Sequence, residues 1–454
     1  MSSDAKTISE KILSTKSGTD AHAGDIVVCR VDRLLGTDAA TPMAIDYFER
    51  MGGTAVFDAQ RILLALDHYA PPSSPETEGH HRAVRAFAAR FGIALHDVGD
   101  GISHQILAES GLALPGDLIV GADSHTVTCG ALNAFATGIG SSDLAAAMIS
   151  GQVWLKVPAS IRVRLRGQLP SGVAAKDLVL ALVDEIGADG AAYQALEFCG
   201  PALAGLDLDD RLVIANMSVE MGAKVGIFPA DEVTDAYLDA CVDAGRDAGG
   251  GIRRGARLDV RRKTAVAPSV PVDADPGANY SREIELDVSS LSPLIALPHS
   301  PDNVVPVGEA AGTPVHMVFL GTCTGGRVAD FHRALEVLEA GNGIAAGVQV
   351  VVTPASGEVY EELLADGTID KLAAMGATIT TPGCGPCCGT AGPIPSDGMN
   401  VISTANRNFK ARMGNATAAI FLASPATCAA AAVAGRVVDP RRLDSSPRRA
   451  DEEG

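Results

Sequence analysis

Gly321-Thr322-Cys323-Thr324-Gly325-Gly326-Arg327 directly follows the apolar run 315–320, and Pro382-Gly383-Cys384-Gly385-Pro386-Cys387-Cys388-Gly389 follows the run 377–380. These two glycine-framed cysteine loops decide the fold. Each closes a short run whose composition predicts a strand. Between them a helix is predicted over 327–340, apolar at Val328, Phe331, Leu335 and Leu338 and stopped by Gly341. A strand over 348–353 and one or two helices over 358–374 follow. Strands alternating with helices predict parallel βαβ units. Open parallel sheets place their sites at strand carboxyl ends. One sheet can therefore bring Cys323 to Cys384 and Cys387, although the loops are far apart in the chain.

The same texture extends toward the N-terminus. Helical patterns lie near 7–13, 42–51, 80–91 and 176–186. Strand-like runs lie at 25–31, 61–66, 117–120 and 160–165, and a helix at 143–150 is expected with Ser141 or Ser142 as its cap. Residues 263–280, with Pro268, Pro271 and Pro276, read as a linker or long surface loop. The uncharged stretch 415–435 reads as a buried helix, with Ser424-Pro425 as a cap and Gly435 as a stop. The tail from Pro440 is charged and solvated.

The chain has 454 residues, enough for about three domains. Aromatics are 4% and glycines number 49, so the core is aliphatic and the turns are many. The charge of −19 repels phosphate backbones and argues against nucleic acid. The opening MSSDAKTISEKIL lacks the apolar stretch of a secretion signal, so a cytoplasmic protein is expected. Nine cysteines, an odd number, point to reduced thiols or metal ligands rather than a disulfide framework.

Three chemistries compete for the cysteine loops. Cys384-Gly385-Pro386-Cys387 matches the CGPC of thiol redox proteins, but that motif belongs to a small domain and usually follows a tryptophan; here the single Trp is Trp154. Structural zinc wants a fourth ligand, and the chain has no second CxxC. Three thiolates on an iron–sulfur cluster leave one iron open as a Lewis acid for a hydroxyl and a carboxylate. That is what removing water from a hydroxy acid requires.

Dehydration also needs a proton acceptor and a proton donor, and histidine tuned by a carboxylate suits the donor role. Asp67-His68 and Asp123-Ser124-His125 end predicted strands; His104 and Glu220 lie in polar runs. Arg407 and Arg412 stand in Asn406-Arg407-Asn408-Phe409-Lys410-Ala411-Arg412, where their planar forks suit carboxylates. Singly, each has a bland reading as a turn or a surface ion pair.

Taken in order, these segments resemble the aconitase superfamily, and within it the large subunits of the 3-isopropylmalate dehydratases. The resemblance covers nearly the whole chain and rests on the combination of segments. It implies an α/β fold of three α/β/α domains around an iron–sulfur cluster, over 1–157, 158–296 and 297–454, without a swivelling fourth domain. It implies a 4Fe-4S cluster with one open iron, held by Cys323, Cys384 and Cys387, with Cys388 a packed thiol. It implies catalytic residues Asp67, His68, His104, Asp123, His125 and Glu220, paired as His68 with Asp67, His104 with Asp123 and His125 with Glu220. His68 would help to protonate the leaving hydroxyl. Ser124, Asn216, Asn406, Arg407 and Arg412 fall at substrate-side positions.

The resemblance further implies a separate small subunit that supplies the swivel domain and the base serine, making a heterodimer whose large chain alone is inactive. The activity implied is that of a hydro-lyase in leucine biosynthesis. Homoaconitase, or a dehydratase for a methyl-substituted malate, stands as the alternative substrate reading. Gly325 departs from the family, which usually carries Asn there. From other classes, a CGPC thiol redox protein and a cluster-losing RNA-binding sensor remain, the latter opposed by the charge.

Overall fold

The computed structural model describes residues 5–247 and 270–443. Three mainly parallel sheets and one small ribbon organise them. The first sheet orders its strands as Ala94–His96, Ile62–Ala65, Arg33–Thr37, Leu118–Gly121 and Phe135–Gly138, all parallel. The second orders Val225–Ile227, Ala195–Cys199, Ser160–Arg166 and Arg282–Asp287, again all parallel. The third is seven-stranded: Val304–Pro306, Leu294–Ala296, Ala419–Ala423, Asn400–Ser403, Met317–Gly321, Gln349–Thr353 and Thr378–Ile379. Leu294–Ala296 pairs antiparallel with both its neighbours, and the other pairings are parallel.

Side-chain alternation explains why the sheets are buried on both faces. In Met317–Gly321, Met317 and Phe319 enter one core while Val318 and Leu320 enter another. Likewise Leu35, Leu63 and Ala65 face the first of these cores, and Leu34, Ile62 and Leu64 face a third. One central core therefore draws on all three sheets. Their loops are drawn together by it. Burying each such Leu or Ile contributes ~1.5–3 kcal/mol.

Local signals account for most helix ends. Thr7 and Glu10 form a capping box on Ile8–Ser17, and Gly18 closes that helix in the left-handed region. The N-terminus of this helix is also clasped from far away. Glu197 accepts the N–H groups of Ile8 and Ser9, and the hydroxyls of Ser9, Ser160 and Tyr280.

Two expectations are corrected. The stretch 415–435 is not one helix: Ala419–Ala423 is a strand, and only Pro425–Ala434 is helical. Its apolar residues satisfy either period, and the break comes where Pro425 pre-sets a first helical turn. The helix Ser141–Ser150 is capped by Gly140, with no side-chain bond from Ser141 or Ser142. Of the loop expected at 263–280, residues 263–269 lie outside the described residues, as does the tail beyond 443. The remainder carries no helix or strand and is pinned by Asn133, whose amide bonds both backbone groups of Val272.

Candidate active site

Cys323 follows the strand Met317–Gly321 through a tight reversal. Thr322 is held at φ 66°, an unfavourable conformation for a β-branched residue. Its N–H bonds Thr353 O at 3.1 Å, and Gly321 N–H bonds the Thr404 hydroxyl at 2.9 Å. Cys387 lies on the short helix Gly385–Cys388, with Pro386 in its first turn and Cys384 at its cap. Gly383, at φ 151°, lets this loop press against the backbone of Asp67, where a Cβ would meet Asp67 O. Cys384 N–H then donates to Asp67 O at 2.7 Å, and the Thr390 hydroxyl to His68 O at 2.5 Å. The third sheet's cysteine loop is thereby joined to the first sheet's histidine loop.

The three thiols converge. Asn406 donates Nδ2–H to Cys323 Sγ at 3.4 Å, and the Cys387 thiol points at Asn406 Oδ1 at 3.9 Å. Arg412 Nη2 donates to Cys387 Sγ at 3.6 Å. Cys323, Cys384 and Cys387 are 1, 5 and 1% exposed. The hydrogen bond from Cys384, with help from Arg412 against burial, holds the Cys387 thiol well below its usual range. Burial pushes Cys323 up to about 12. Cys388 turns away, its thiol 2.9 Å from the Thr390 hydroxyl.

Three buried soft donors with side-chain N–H groups aimed at sulfur fit an iron–sulfur cluster. A single ion fits less well. Among the described residues, the group with ligand atoms all within 4.8 Å of one another is Asp38, Asp67 and His68, not the cysteines. Burial of Cys384 and Cys387 also denies thiol–disulfide exchange the access it needs.

Around this set stands the histidine–carboxylate system. Asp67 Oδ1 lies 2.7 Å from His68 Nδ1, and its Oδ2 accepts Ser103 N–H at 2.9 Å. His68 Nε2 lies 3.3 Å from Asp123 Oδ2. Burial opposes charge on His68, but Asp67 and Asp123 outweigh it and hold the imidazole well above its usual range. Asp123 caps the 3-10 helix Ser124–Leu132 by accepting His125 N–H at 2.6 Å. His125 Nε2 meets Glu220 Oε1 at 2.9 Å. Glu220 also takes Arg407 Nε at 3.0 and 2.9 Å, and Arg407 Nη2 donates to the Ser124 hydroxyl at 3.0 Å.

The pairing expected for His104 differs. Neither ring nitrogen of His104 has a hydrogen-bond partner, and burial pushes its imidazole down to about 3. Asp123 is committed to the helix entrance, where it serves His68 and His125. The His104 ring instead lies 6.2 Å from that of His125. Asn216 is also set back: its Oδ1 receives Asn406 Nδ2–H at 3.0 Å, and its own Nδ2 bonds Thr128. Beside Gly325, the side chain of Thr404 fills the space that a Cβ would take.

Sequence reasoning missed three supports. Lys176, fully buried, donates to the carbonyls of Thr404 at 2.9 Å and Ala405 at 2.6 Å, just ahead of Asn406 and Arg407. Thr390 ties the two loops. Asp38 braces the backbone of His68 and Tyr69. A cleft of about 560 Å³ runs outward from Asp123 and Ser124 to Tyr193, Lys224 and the exposed Trp154, a size suited to a small ligand.

Three thiols, a proton-holding histidine and an arginine fixed by a carboxylate, gathered at the carboxyl ends of parallel strands, define a hydro-lyase type of centre. The profile of the aconitase family (aconitate hydratase) matches residues 10–435, and the chain belongs to that family. It is 45% identical over 437 residues to the 3-isopropylmalate dehydratase large subunit 1 of Methanopyrus kandleri, covering 96% of this chain and 99% of that relative. The 3-isopropylmalate dehydratase large subunit 2 of Archaeoglobus fulgidus is 46% identical over 438 residues, with 96 and 99% covered. Large subunit 1 of Thermotoga maritima is 44% identical over 440 residues, again with 96 and 99% covered.

Proposed function

We propose that this chain is the cluster-bearing large subunit of a hydro-lyase that isomerises 3-isopropylmalate by dehydration and rehydration. The observation that carries the reading is the convergence of Cys323, Cys384 and Cys387 under Asn406 and Arg412, beside an imidazole that the fold keeps protonated. When bound, a 4Fe-4S cluster with one open iron supplies Lewis acidity toward the substrate hydroxyl and a carboxylate. His68, between Asp67 and Asp123, donates the proton that the departing oxygen needs. Arg407, oriented by Glu220 and Ser124, and Arg412 hold substrate carboxylates. Glu220 is itself fixed by His125, so Arg407 keeps one direction without substrate.

The base that takes the carbon-bound proton is a serine on a separate small subunit, and the cleft beside Ser124 is open to such a partner. Homoaconitase or a methyl-malate dehydratase is the alternative substrate assignment, with the same large-chain residues. No helix among the described residues is long and apolar enough to cross a membrane.

The test is anaerobic co-purification with a candidate small subunit, iron and sulfide analysis, and a hydratase panel of isopropylmalate, homocitrate, citrate and methyl-malates. About four irons and four sulfides per chain, lost in Cys323→Ser, with activity confined to the pair of subunits, are expected. A colourless chain without iron sinks the reading.

A further inference from the structure

His68 has a third carboxylate neighbour, one that never touches its ring nitrogens at hydrogen-bond distance. Asp38 follows the strand Arg33–Thr37 and is fully buried. Its Oδ1 accepts the His68 backbone N–H at 2.9 Å. Its Oδ2 accepts the Tyr69 N–H at 2.9 Å and His81 Nε2–H at 2.8 Å. His81 comes from a different element, the helix Pro75–Phe91, and is equally buried. Asp38 Oδ1 stands 3.8 Å from His68 Nδ1.

Burying a carboxylate is costly unless it is paired and hydrogen-bonded. Here two backbone N–H groups and an imidazole N–H meet that demand. The spacing of Asp38, Asp67 and His68 would suit a cation. Yet the atoms aimed at the oxygens are N–H donors, and Asp67 is likewise occupied by Ser103 N–H and the His68 ring. These donors would repel a metal. What remains is a fixed negative charge behind the imidazole and a clamp on the backbone that carries it. Anchoring a turn needs only the backbone bonds; the buried histidine that locks the carboxylate in place exceeds that need.

We propose that Asp38, locked by His81, is a positioning residue for His68. It sets where the ring stands and helps to keep the proton on it until the leaving oxygen takes it. The groups facing His68 are Asp67 and Asp38 from the first sheet's loops and Asp123 from the 3-10 helix entrance. His81 acts through Asp38, and Cys388 of the cysteine loop is within electrostatic reach of the ring. Removing the Asp38 charge leaves two carboxylates and weakens the hold on the proton.

The inference rests on His68 being the acid of the proposed reaction, so the test has two arms, both on the cluster-loaded two-subunit complex. The first is kinetic. Asp38→Asn keeps the size, removes the charge and leaves one acceptor oxygen for three donors. It should lower kcat ~10–100-fold, as loss of a supporting partner commonly does, with KM little changed. The alkaline limb of the kcat profile should move to lower pH by about one to three units, the effect of a charge within ~4–6 Å. His81→Leu should give the same change at smaller amplitude. His81→Gln, whose amide can replace Nε2–H, should recover the wild-type profile.

The second arm is a ¹⁵N-histidine NMR titration of His68, assigned with His68→Asn. The midpoint should fall in Asp38→Asn and His81→Leu and recover in His81→Gln. Folded, iron-loaded Asp38→Asn with the wild-type rate and midpoint overturns the proposal. So does a variant that loses rate only through lower iron content or melting temperature, with the midpoint unmoved. If Asp38→Asn does not fold, the His81 pair decides by the same criteria. An inactive wild-type complex refutes the hydro-lyase reading alone, because the titration still decides the role of Asp38.

Discussion

Lys176→Met tests how the strap that carries Asn406 and Arg407 is held. Lys176 projects from the start of the helix Ala175–Ile186 onto the backbone that follows the strand Asn400–Ser403 of the third sheet. Its ammonium gives two charge-assisted bonds, to Thr404 O and Ala405 O. Each such bond contributes ~1.5–3 kcal/mol net of desolvation, so deleting both removes about 3–6 kcal/mol. Thr404 O keeps the Thr324 hydroxyl at 2.8 Å, so only Ala405 O loses its lysine without that support. Methionine, of similar length, gains ~1.5–3 kcal/mol by burial. The expected net loss is about 1.5–3 kcal/mol, a large share of a typical ~5–15 kcal/mol total.

The lysine is also within electrostatic reach of Cys428, Cys323 and Cys387, and burial pushes its amine down to about 8. Removing a cation beside thiols that must ionise should lower iron retention. Urea unfolding of the anaerobic protein, with iron measured per chain, reads both effects. A variant within ~0.5 kcal/mol of wild type, the range of an inert surface change, would refute the strap argument. Lost stability with full iron would refute the electrostatic part.

Further outcomes follow from the site geometry. Burial pushes the Glu220 carboxyl up, but His125 and Arg407 more than reverse it, and His125 is raised by Asp123 and Glu220 against burial. Glu220 therefore stabilises fully above its ordinary 4.5 and less as pH falls through its lower folded value. His125 does so fully below 6.5 and less as pH rises through its higher one. Melting curves of wild type and Glu220→Gln should thus differ most between these two values, and an equal gap at all pH counts against the pair. Gly383→Ala overpacks the Asp67 contact, should cost ~1–3 kcal/mol, and should shed iron; a fully loaded, equally stable variant refutes the close-approach argument. Cys388→Ser should retain all its iron while Cys384→Ser does not, and the reverse result in iron analysis would reassign the ligands.

The cysteine loops and both Asp-His groups were legible because strand, glycine and reactive residue are neighbours in the chain. Local pattern is enough to place such groups at strand ends. Lys176, Thr390 and Asp38 were not legible, because each acts on a partner 30 or more residues away. In the sequence Lys176 is only a charge near a helix start. The strand Arg33–Thr37 escaped notice because Arg33 and Gly36 interrupt its apolar run, although every one of its residues is buried. The short strands Ala195–Cys199 and Val225–Ile227 were hidden among glycine and alanine for the same reason. The His104 pairing failed at another level: whether an aspartate serves a helix entrance or a distant imidazole depends on packing.

The Glu197 clasp has a consequence for synthesis. A ribosome adding ~5–20 residues per second needs about 10–40 s to pass from Ile8 to its anchor 189 residues on. A helix of 10 residues is marginal alone. The first helix to be made therefore waits for a clasp on its N-terminus that is 189 residues away. During that interval Ile8, Ile12 and Leu13, buried in the finished protein, have for cover only the part of their core that follows at once in the chain, Val27, Cys29, Val31 and Leu34.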